Sequence, residues 1–384
     1  PTLIVVAVLG VLRGFFQGLG TMMPSAVSQI LEQIANAIVS VWAAYVLYNY
    51  GTKVGAVLGN TENYAAAYGA AGGTLGTGTG AVIGLLFATF VLIAYLSVFK
   101  RQMKRERRAK VDSYSYIFKI LFITIIPVLM STTIYNCNAI LDQAIFKNIA
   151  NLQGYSANDI SEWNGIYTGK YKTLINVPIS IASALAASSV PALTAAYTNG
   201  KKDAVRAQIN TAIRFIMVVA FPCAVGMGVL ASPILQLLFR DSSELAASML
   251  QLGAVSIVFF SLSTLSNGLL QGINRMREPV KNALIALVLH ICLLVVLMYA
   301  FKLNIYAVVY ANAFFGLLMC LLNAYSVRKY SGYQQEIKRT FVIPGISALI
   351  MGVAVYLSYQ LFLYILRVNA IATVFSILIG VVVY

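Results

Sequence analysis

Long apolar stretches recur along the whole chain and are separated by short polar loops. A helix needs about 20 apolar residues to cross a bilayer core about 30 Å thick, and these stretches have that length. Runs such as 283–300 are apolar on every face. They do not show the alternation of apolar and polar residues that a membrane β-strand requires. The sequence therefore predicts an all-α integral membrane protein, a polytopic helical bundle.

The composition agrees with lipid as the main solvent of the chain. Charged residues make up 10% of the 384 residues, whereas soluble domains carry about 25%. We expect eleven spans, with the first and last cut inside a helix by the ends of the chain, at about 1–14, 24–50, 74–99, 117–146, 174–197, 212–230, 245–270, 280–300, 305–327, 341–366 and 370–384. The four cysteines fall inside spans without the spacing of metal ligands, which predicts small core residues.

The basic residues are distributed unevenly between the two sides of the predicted bundle. The net charge is +15, and alternate loops around residues 13, 100–110, 201–206, 275–281 and 328–339 hold 18 of the 27 Lys and Arg residues. By the positive-inside rule, that side is cytoplasmic. The run at 100–110 then predicts a solvated linker that meets anionic membrane lipid. Aromatic residues are not interleaved with these charges, so no nucleic-acid partner is expected.

An internal repeat indicates how the spans are organised. The segment RGFFQGLGTMMP at 13–24 resembles NGLLQGINRMREP at 267–279, and four positions recur with an offset of 254 residues. Both copies end one span and open the next on the basic side, which predicts two parallel-repeat six-helix lobes plus a terminal helix pair. The expected divisions are 1–99 for the second half of the N-terminal lobe, with three spans, 100–116 for the basic linker, 117–327 for the C-terminal lobe and 341–384 for the truncated terminal pair. On this interpretation three helices precede Pro1 in a parent of fourteen spans.

Three segments carry a resemblance to a known family. They are RGFFQGLGTMMPSAVSQILEQI at 13–34, GIYTGKYKTLINVPISIASALAASSVPALTAAY at 165–197 and INTAIRFIMVVAFPCAVGMGVLASPILQLLF at 209–239. The chain resembles the multidrug, oligosaccharidyl-lipid and polysaccharide exporter superfamily, and within it the MurJ-like and SpoVB-like polysaccharide biosynthesis branch. The resemblance implies a V-shaped pair of lobes around a central cavity in the bacterial cytoplasmic membrane. It also implies outward movement of an undecaprenyl-pyrophosphate-linked precursor, lipid II.

Polar residues in the second span give the first candidate site. Gln29, Glu32, Gln33 and Asn36 follow helical spacing on one face. An ionisable residue in a span costs about 2.5 to 3.5 kcal/mol on insertion scales, so Glu32 needs a structural or functional reason. The stripe fits a substrate cavity or, alternatively, a hydrogen-bonded seam between helices. Glu32 fits either proton coupling or an ion pair with Arg13. We include Arg13 among the substrate-site candidates together with the four residues of the stripe.

A second candidate site lies in the span 117–146. Asn138 and Asp142 share a helical face, and the resemblance implies a cation site here, with further ligands from the eleventh and twelfth spans of the family. The candidates among those ligands are Asn282, His290 and Asn312. The span 280–300 contains no acidic residue, which departs from the family pattern and weakens a sodium site. The alternative for Asp142 is a carboxylate at the membrane interface. For His290, the single histidine, the alternatives to a proton relay are a residue whose hydrogen bonds are satisfied within the protein and a residue at the edge of the lipid.

Two lysines and a glycine-rich segment complete the candidates. Lys170 and Lys172 open the span 174–197. The resemblance suggests a basic residue facing the cavity here, and snorkelling toward lipid headgroups is the alternative. The glycines of 72–80 are expected to form a flexible entry to the span 74–99. Without a following GK[ST] they do not form a phosphate-binding loop.

No pattern in the sequence indicates catalysis, so an enzyme is not expected. A lipid-linked precursor flippase is the main functional hypothesis, with cell-wall synthesis proteins as further partners. The alternatives are a cation-coupled multidrug antiporter, an exporter of lipid-linked O-antigen or teichoic-type polysaccharide, and a scaffold of a cell-wall complex. An anionic pyrophosphate requires basic residues in the cavity, whereas cationic drugs require acids among aromatic residues. No cofactor is predicted, and coupling to Na+, to H+ or to the membrane potential stays open.

The predicted orientation is testable by labelling. A tag at residues 101–110 should be cytoplasmic, and a tag in the loop expected at 51–73 should be extracellular, because the positive-inside rule sets both. Single cysteines in a cysteine-free background can be labelled in intact cells with a membrane-impermeant reagent. Labelling at 101–110 would show that the orientation is reversed.

Overall fold

The computed structural model describes residues 2–105 and 112–384, and every regular element in those ranges is a helix. The chain forms two compact units, Pro1–Asp112 and Ser113–Tyr384. The first unit contains helices α1 (Thr2–Gly18), α2 (Met23–Leu58) and α3 (Thr61–Arg105). The predicted all-α membrane fold is confirmed.

Helices α2 and α3 form a long antiparallel hairpin. At 36 residues, α2 is about 54 Å long at 1.5 Å per residue, so it extends beyond a bilayer core. The turn is short because Gly59 ends α2 with a φ of 79°, a left-handed conformation that favours glycine. The expectation of a loop at 51–73 is therefore wrong, since helix continues on both sides of Gly59 and Asn60.

The glycine-rich segment at 72–80 is a packed helix, and the flexible entry predicted for it is wrong. Gly72, Gly76 and Gly80 lie one turn apart on α3 and meet the α2 backbone directly. A Cβ on Gly80 would lie 2.6 Å from the carbonyl oxygen of Glu32. Small residues stabilise helix pairs in lipid in this way, because they let two backbones approach closely.

The second unit contains eleven α-helices and two π-helical segments. They are α4 (Tyr114–Leu152), α5 (Ala157–Gly165), the π segment Ile166–Tyr171, α6 (Lys172–Thr198), α7 (Lys202–Val229), α8 (Ala231–Phe239), α9 (Glu244–Gly253), α10 (Ser256–Gly272), α11 (Arg277–Tyr299), α12 (Asn304–Ser331), the π segment Lys338–Val342, α13 (Ile343–Leu366) and α14 (Asn369–Val383). Helix α10 packs against α6, α7 and α12 at the centre of this unit. Gly268 on α10 faces Ala186 on α6, which allows the two helices to pack closely.

The apolar helices correspond in number to the predicted spans, with changes in their boundaries. Within residues 2–105 and 112–384, seven helices are long and apolar enough to cross a membrane, and one further candidate is a bent pair. Three shorter apolar helical stretches are Thr2–Gly18, Tyr114–Ile126 at the start of α4, and Asn369–Val383. The bent pair is Glu244–Gly253 with Ser256–Gly272, at 46°, so the single span expected at 245–270 is interrupted. The short helices α5 and α8 were not predicted.

Two smaller expectations also change. Helix α3 continues to Arg105 and α4 begins at Tyr114, so helix occupies part of the linker expected at 100–116. Residues 106–111 of that linker lie outside the described residues. Cys320 is buried and Cys137 and Cys223 are partly buried, but Cys292 is exposed, so the core expectation is wrong for Cys292.

The two copies of the sequence repeat occupy equivalent places in the helices. Helix α1 ends at Gly18 and α10 ends at Gly272, while α2 begins at Met23 and α11 begins at Arg277. Both offsets are 254 residues, the same as in the sequence. A proline lies in the first turn of each following helix, where its missing N–H is tolerated.

The glycine contact between α2 and α3 predicts a stability difference between two alanine substitutions. Gly80→Ala should lower the stability of the folded protein by about 1 to 3 kcal/mol, because the added methyl group meets backbone that cannot yield. Gly73→Ala on the same helix is the control, since its Cβ has no neighbour within 4 Å. Thermal unfolding in detergent compares them, and equal losses would show that the contact does not hold the hairpin.

Candidate functional site

A buried polar cluster lies in the second unit around Asp142 of α4, which is 1% exposed. His290 Nε2 of α11 lies 2.5 Å from Asp142 Oδ1, and Asn312 Nδ2 of α12 donates to Oδ2 at 2.6 Å. Asn312 also donates to the hydroxyl oxygen of Tyr167 at 2.8 Å, and Asn138 Nδ2 donates to Asn312 Oδ1 at 3.3 Å. One cluster therefore joins α4, α11, α12 and the π segment before α6.

His290 is a fully buried member of this cluster. It is 0% exposed, its Nδ1 lies 2.8 Å from the carbonyl oxygen of Ala311, and its ring meets Phe315 edge-on. It is therefore a satisfied histidine, and the lipid-edge alternative is wrong. Asn282 lies apart from the cluster, because its amide donates to Asn323 and Ser326.

A cavity of about 280 Å³ adjoins the cluster, and Lys172 lies on its wall. The Lys172 ammonium lies 5.0 Å from the centre of the Tyr167 ring, which stacks on Tyr171 with ring centres 5.3 Å apart. The other lining residues are Asn138, Ala139, Ile175, Asn176, Ile179, Ser256, Phe260, Thr264, Asn312 and Phe315. Within the described parts of the chain, no carboxylate lies within salt-bridge distance of Lys172. The cavity therefore carries a positive charge that no carboxylate of the described residues neutralises.

The two lysines lie at the end of the π segment Ile166–Tyr171 and have different surroundings. A π-helix turns more widely than an α-helix, and here it buries both Tyr167 and Tyr171. Lys170 points elsewhere and pairs with Asp241 at 2.5 Å. Burial acts to raise the pKa of Asp241, but hydrogen bonds from Lys170 and Ser243 outweigh it, so the pKa lies below its usual range. Asp241 therefore stays ionised and neutralises Lys170.

In the first unit, Arg13 and Glu32 form a partly buried ion pair. Arg13 donates to Glu32 Oε2 at 2.7 Å and from Nε to Ser28 Oγ at 2.8 Å. The side chains of Arg13 and Glu32 are 17% and 20% exposed. The pair thus links α1 to α2. An ion pair with Arg13 was one of the two alternatives that the sequence left open for Glu32.

The rest of the predicted polar stripe divides between two environments. Asn36 accepts a hydrogen bond from Ser40 at 2.9 Å and lies beside Gly80 of α3. Gln29 and Gln33 are exposed on the first unit. Part of the stripe therefore lies at the contact between helices, and part of it is exposed on the surface of the first unit.

Sequence reasoning missed three residues that complete these clusters. Tyr167 precedes the expected start of its span, Asp241 lies beyond the expected end of another, and Asn323 was not distinguished from ordinary core residues. Asn323 donates to the side chain of Asn267 at 2.8 Å and accepts from Asn282 at 2.9 Å. An amide or acid in or beside an apolar stretch was the available signal, since each needs a partner in lipid.

The fold defines a class, the multi-pass membrane proteins built from helical bundles. The family model for the lipid II flippase MurJ matches residues 1–375, and the chain belongs to that family. The predicted MurJ-like and SpoVB-like branch is thereby confirmed. The family is one of transporters and not of enzymes, and the chain is a multi-pass bacterial membrane protein.

Individual relatives agree with this assignment. The lipid II flippase MurJ of Bacillus subtilis is 27% identical over 93% of this chain and 66% of its own length. Stage V sporulation protein B of the same organism is 24% identical over 88% and 62%. The chain thus spans just under two thirds of both relatives. A solved lipid II flippase MurJ in an inward closed conformation shares the fold, with a TM-score of 0.62 at 17% identity over 100% of this chain and 70% of that one.

The Arg13–Glu32 pair predicts a measurable coupling in stability. Glu32→Gln and Arg13→Gln should each destabilise the first unit, and the double variant should lose less than their sum by about 0.5 to 3 kcal/mol. Unfolding in detergent measures this cycle. Gln33→Ala, at an exposed position, should change stability by less than about 0.5 kcal/mol. Additive losses from the two single variants would mean that the pair does not hold α1 to α2.

Proposed function

We propose that the protein moves a lipid-linked cell-wall precursor, the undecaprenyl-pyrophosphate-linked lipid II, to the outer face of the cytoplasmic membrane by alternating access. The observation that carries this proposal is the match of the lipid II flippase family model to residues 1–375. The name of the Bacillus subtilis relative supports the same substrate. Cell-wall synthesis proteins that consume the precursor are the partners this function implies.

The charges of the described residues favour an anionic substrate over a cationic drug. Lys172 offers a cavity-facing ammonium without a carboxylate partner in the described chain, and a pyrophosphate binds such a point charge. The acids Glu32 and Asp142 both face nitrogen donors, in Arg13 and in His290 with Asn312. Neither acid is therefore free to bind a drug cation. An exporter of lipid-linked polysaccharide would bind the same pyrophosphate group. The two functions therefore differ in the sugar headgroup of the substrate.

The membrane potential supplies an energy source for this direction of transport. An inside-negative potential contributes about 2.3 kcal/mol per 100 mV for each negative charge carried fully outward. Outward movement of an anionic headgroup is thus favoured by the potential that bacteria maintain. In liposomes, the rate of lipid II translocation should rise when an inside-negative potential is imposed.

The contrast between the two lysines predicts different effects of their neutralisation. Lys172→Gln should weaken capture of lipid II about tenfold, the equivalent of about 1.4 kcal/mol, because it removes the cavity charge. Lys170→Gln should have a much smaller effect, since Asp241 already compensates that charge. Binding and translocation are measured on the full-length protein in liposomes.

Lys172→Arg keeps the positive charge and serves as the matched control. It should retain most of the binding that Lys172→Gln loses, although the guanidinium differs in shape from an ammonium. Normal translocation by Lys172→Gln together with export of cationic dyes would replace the flippase with a drug antiporter.

A further inference from the structure

A basic crevice opens in the second unit between the start of α11 and the start of α4. Its volume is about 440 Å³. Charged residues from α11 and the turn before it line one side, and α4 lines the other, with the residues Arg275, Arg277, Glu278 and Lys281 facing Ile123 and Thr124. None of these residues lines the cavity that contains Lys172. The basic crevice is therefore separate from the candidate functional site.

The crevice carries more positive than negative charge. Its one carboxylate, Glu278, pairs with Lys281 at 3.3 Å. Within the described ranges of the chain, neither Arg275 nor Arg277 has a carboxylate at salt-bridge distance. Two guanidinium groups are thus left for an anion. A guanidinium donates two parallel N–H groups to the oxygens of a phosphate, so a phosphate group fits this pair.

An aromatic ring orders one of the two arginines. The guanidinium carbon of Arg275 lies 4.5 Å from the centre of the Tyr330 ring of α12, which is the distance of a cation–π contact. The ring does not neutralise the arginine, because it has no net charge. A side chain that is already ordered loses less entropy when a ligand binds. Arg275 is therefore prepared to bind an anion.

The α4 side of the crevice is part of an apolar surface. Ile123 belongs to the apolar stretch Tyr114–Ile126, and Ile120, one turn earlier on the same face, is also exposed. The hydroxyl of Thr124 donates to the Ile120 carbonyl oxygen at 2.9 Å, so it does not need a ligand. An acyl chain gains free energy from contact with such a surface, whereas a free phosphate ion does not. The combination of arginines and an apolar wall favours a phospholipid.

The place of the crevice along the helices agrees with a lipid headgroup. Arg277 and Lys281 lie in the first two turns of α11, and Ile123 and Thr124 lie within the first three turns of α4. Charged residues give way to apolar helix here, as they do near the phosphates of a bilayer. Basic pockets between membrane helices bind anionic headgroups on the cytoplasmic side, which is the side that the positive-inside rule predicts for this end.

We propose that the basic crevice binds an anionic membrane phospholipid, with its phosphate at Arg275 and Arg277 and an acyl chain along the start of α4. The lipid connects α4 to α11 at the basic end of the second unit. It is a resident lipid and not the transported one, since the crevice shares no lining residue with the cavity. The proposal does not depend on the proposed function.

Native mass spectrometry of the full-length protein in detergent tests the preference for charge. Phosphatidylglycerol, which is anionic, should bind about fivefold or more tightly than phosphatidylcholine with the same acyl chains. The double variant Arg275→Gln with Arg277→Gln should weaken phosphatidylglycerol binding about tenfold or more, because it removes both guanidinium groups. Lys302→Gln is the matched control. It removes an exposed charge beyond the other end of α11 and should change the affinity less than twofold.

The position of the lipid is tested on the wild type, so the result does not require that the variants fold. Phosphatidylglycerol with a photoreactive group in one acyl chain should cross-link to peptides within 114–126 and 274–281. Excess inorganic phosphate should leave most of this cross-linking intact, because it cannot replace the apolar contact. Excess phosphatidylcholine should compete weakly, and unlabelled phosphatidylglycerol should compete fully.

Four results would overturn the proposal. Equal binding of the two phospholipids would remove the role of charge, and an equal loss in Lys302→Gln would indicate general surface attraction. Cross-links confined to other helices, or full displacement by inorganic phosphate, would exclude a phospholipid in the crevice. Undecaprenyl pyrophosphate is the remaining competitor. If it displaced phosphatidylglycerol at lower concentration and cross-linked to the same peptides, the crevice would be a substrate site instead of a resident-lipid site.

Discussion

Lipid cannot form hydrogen bonds, and the structure depends on that constraint throughout. Each polar group within a span has to find its partner inside the protein. The backbone does so by remaining helical over nearly all of the described chain. The side chains do so by reaching another helix, as Arg13 reaches Glu32 and as Asp142 reaches His290. Polar residues therefore form a few clusters, and these clusters are also the places where a transporter can bind and release charge.

The two units bring their helices together in different ways. In the first unit, glycines such as Gly80 let α3 meet the α2 backbone directly, so close packing supplies the attraction. In the second unit, amides connect α10, α11 and α12, with Asn323 bonded to both Asn267 and Asn282. A close glycine contact has one fitting position, whereas a hydrogen-bonded cluster can exchange partners. The second arrangement thus suits the unit that contains the cavity with Lys172.

Most of the fold could be predicted from the sequence, because the length of an apolar stretch directly reports a crossing of the bilayer. The helix at 72–80 could not, since glycine lowers helix stability in isolation and only contact with α2 reverses this. The candidate site was harder to predict from the sequence. The residue pattern around His290 gives no sign of a carboxylate 148 residues away, and only the family resemblance grouped the histidine with Asp142. Two lysines two residues apart point to different sides of a helix, and only the structure shows that Lys172 lies on the cavity and Lys170 against Asp241.

A lysine on the cavity wall and a buried carboxylate beside the cavity lie close together, and this has a physical consequence. Lys172 and Asp142 stay apart in the structure because Tyr167 and Asn312 lie between them and because His290 occupies the carboxylate. A direct salt bridge would neutralise the lysine and remove the attraction for an anionic headgroup. His290 and Asn312 already occupy both oxygens of Asp142, so the lysine stays available. In the function we propose, the histidine thus keeps the carboxylate from pairing with Lys172, although it does not itself line the cavity.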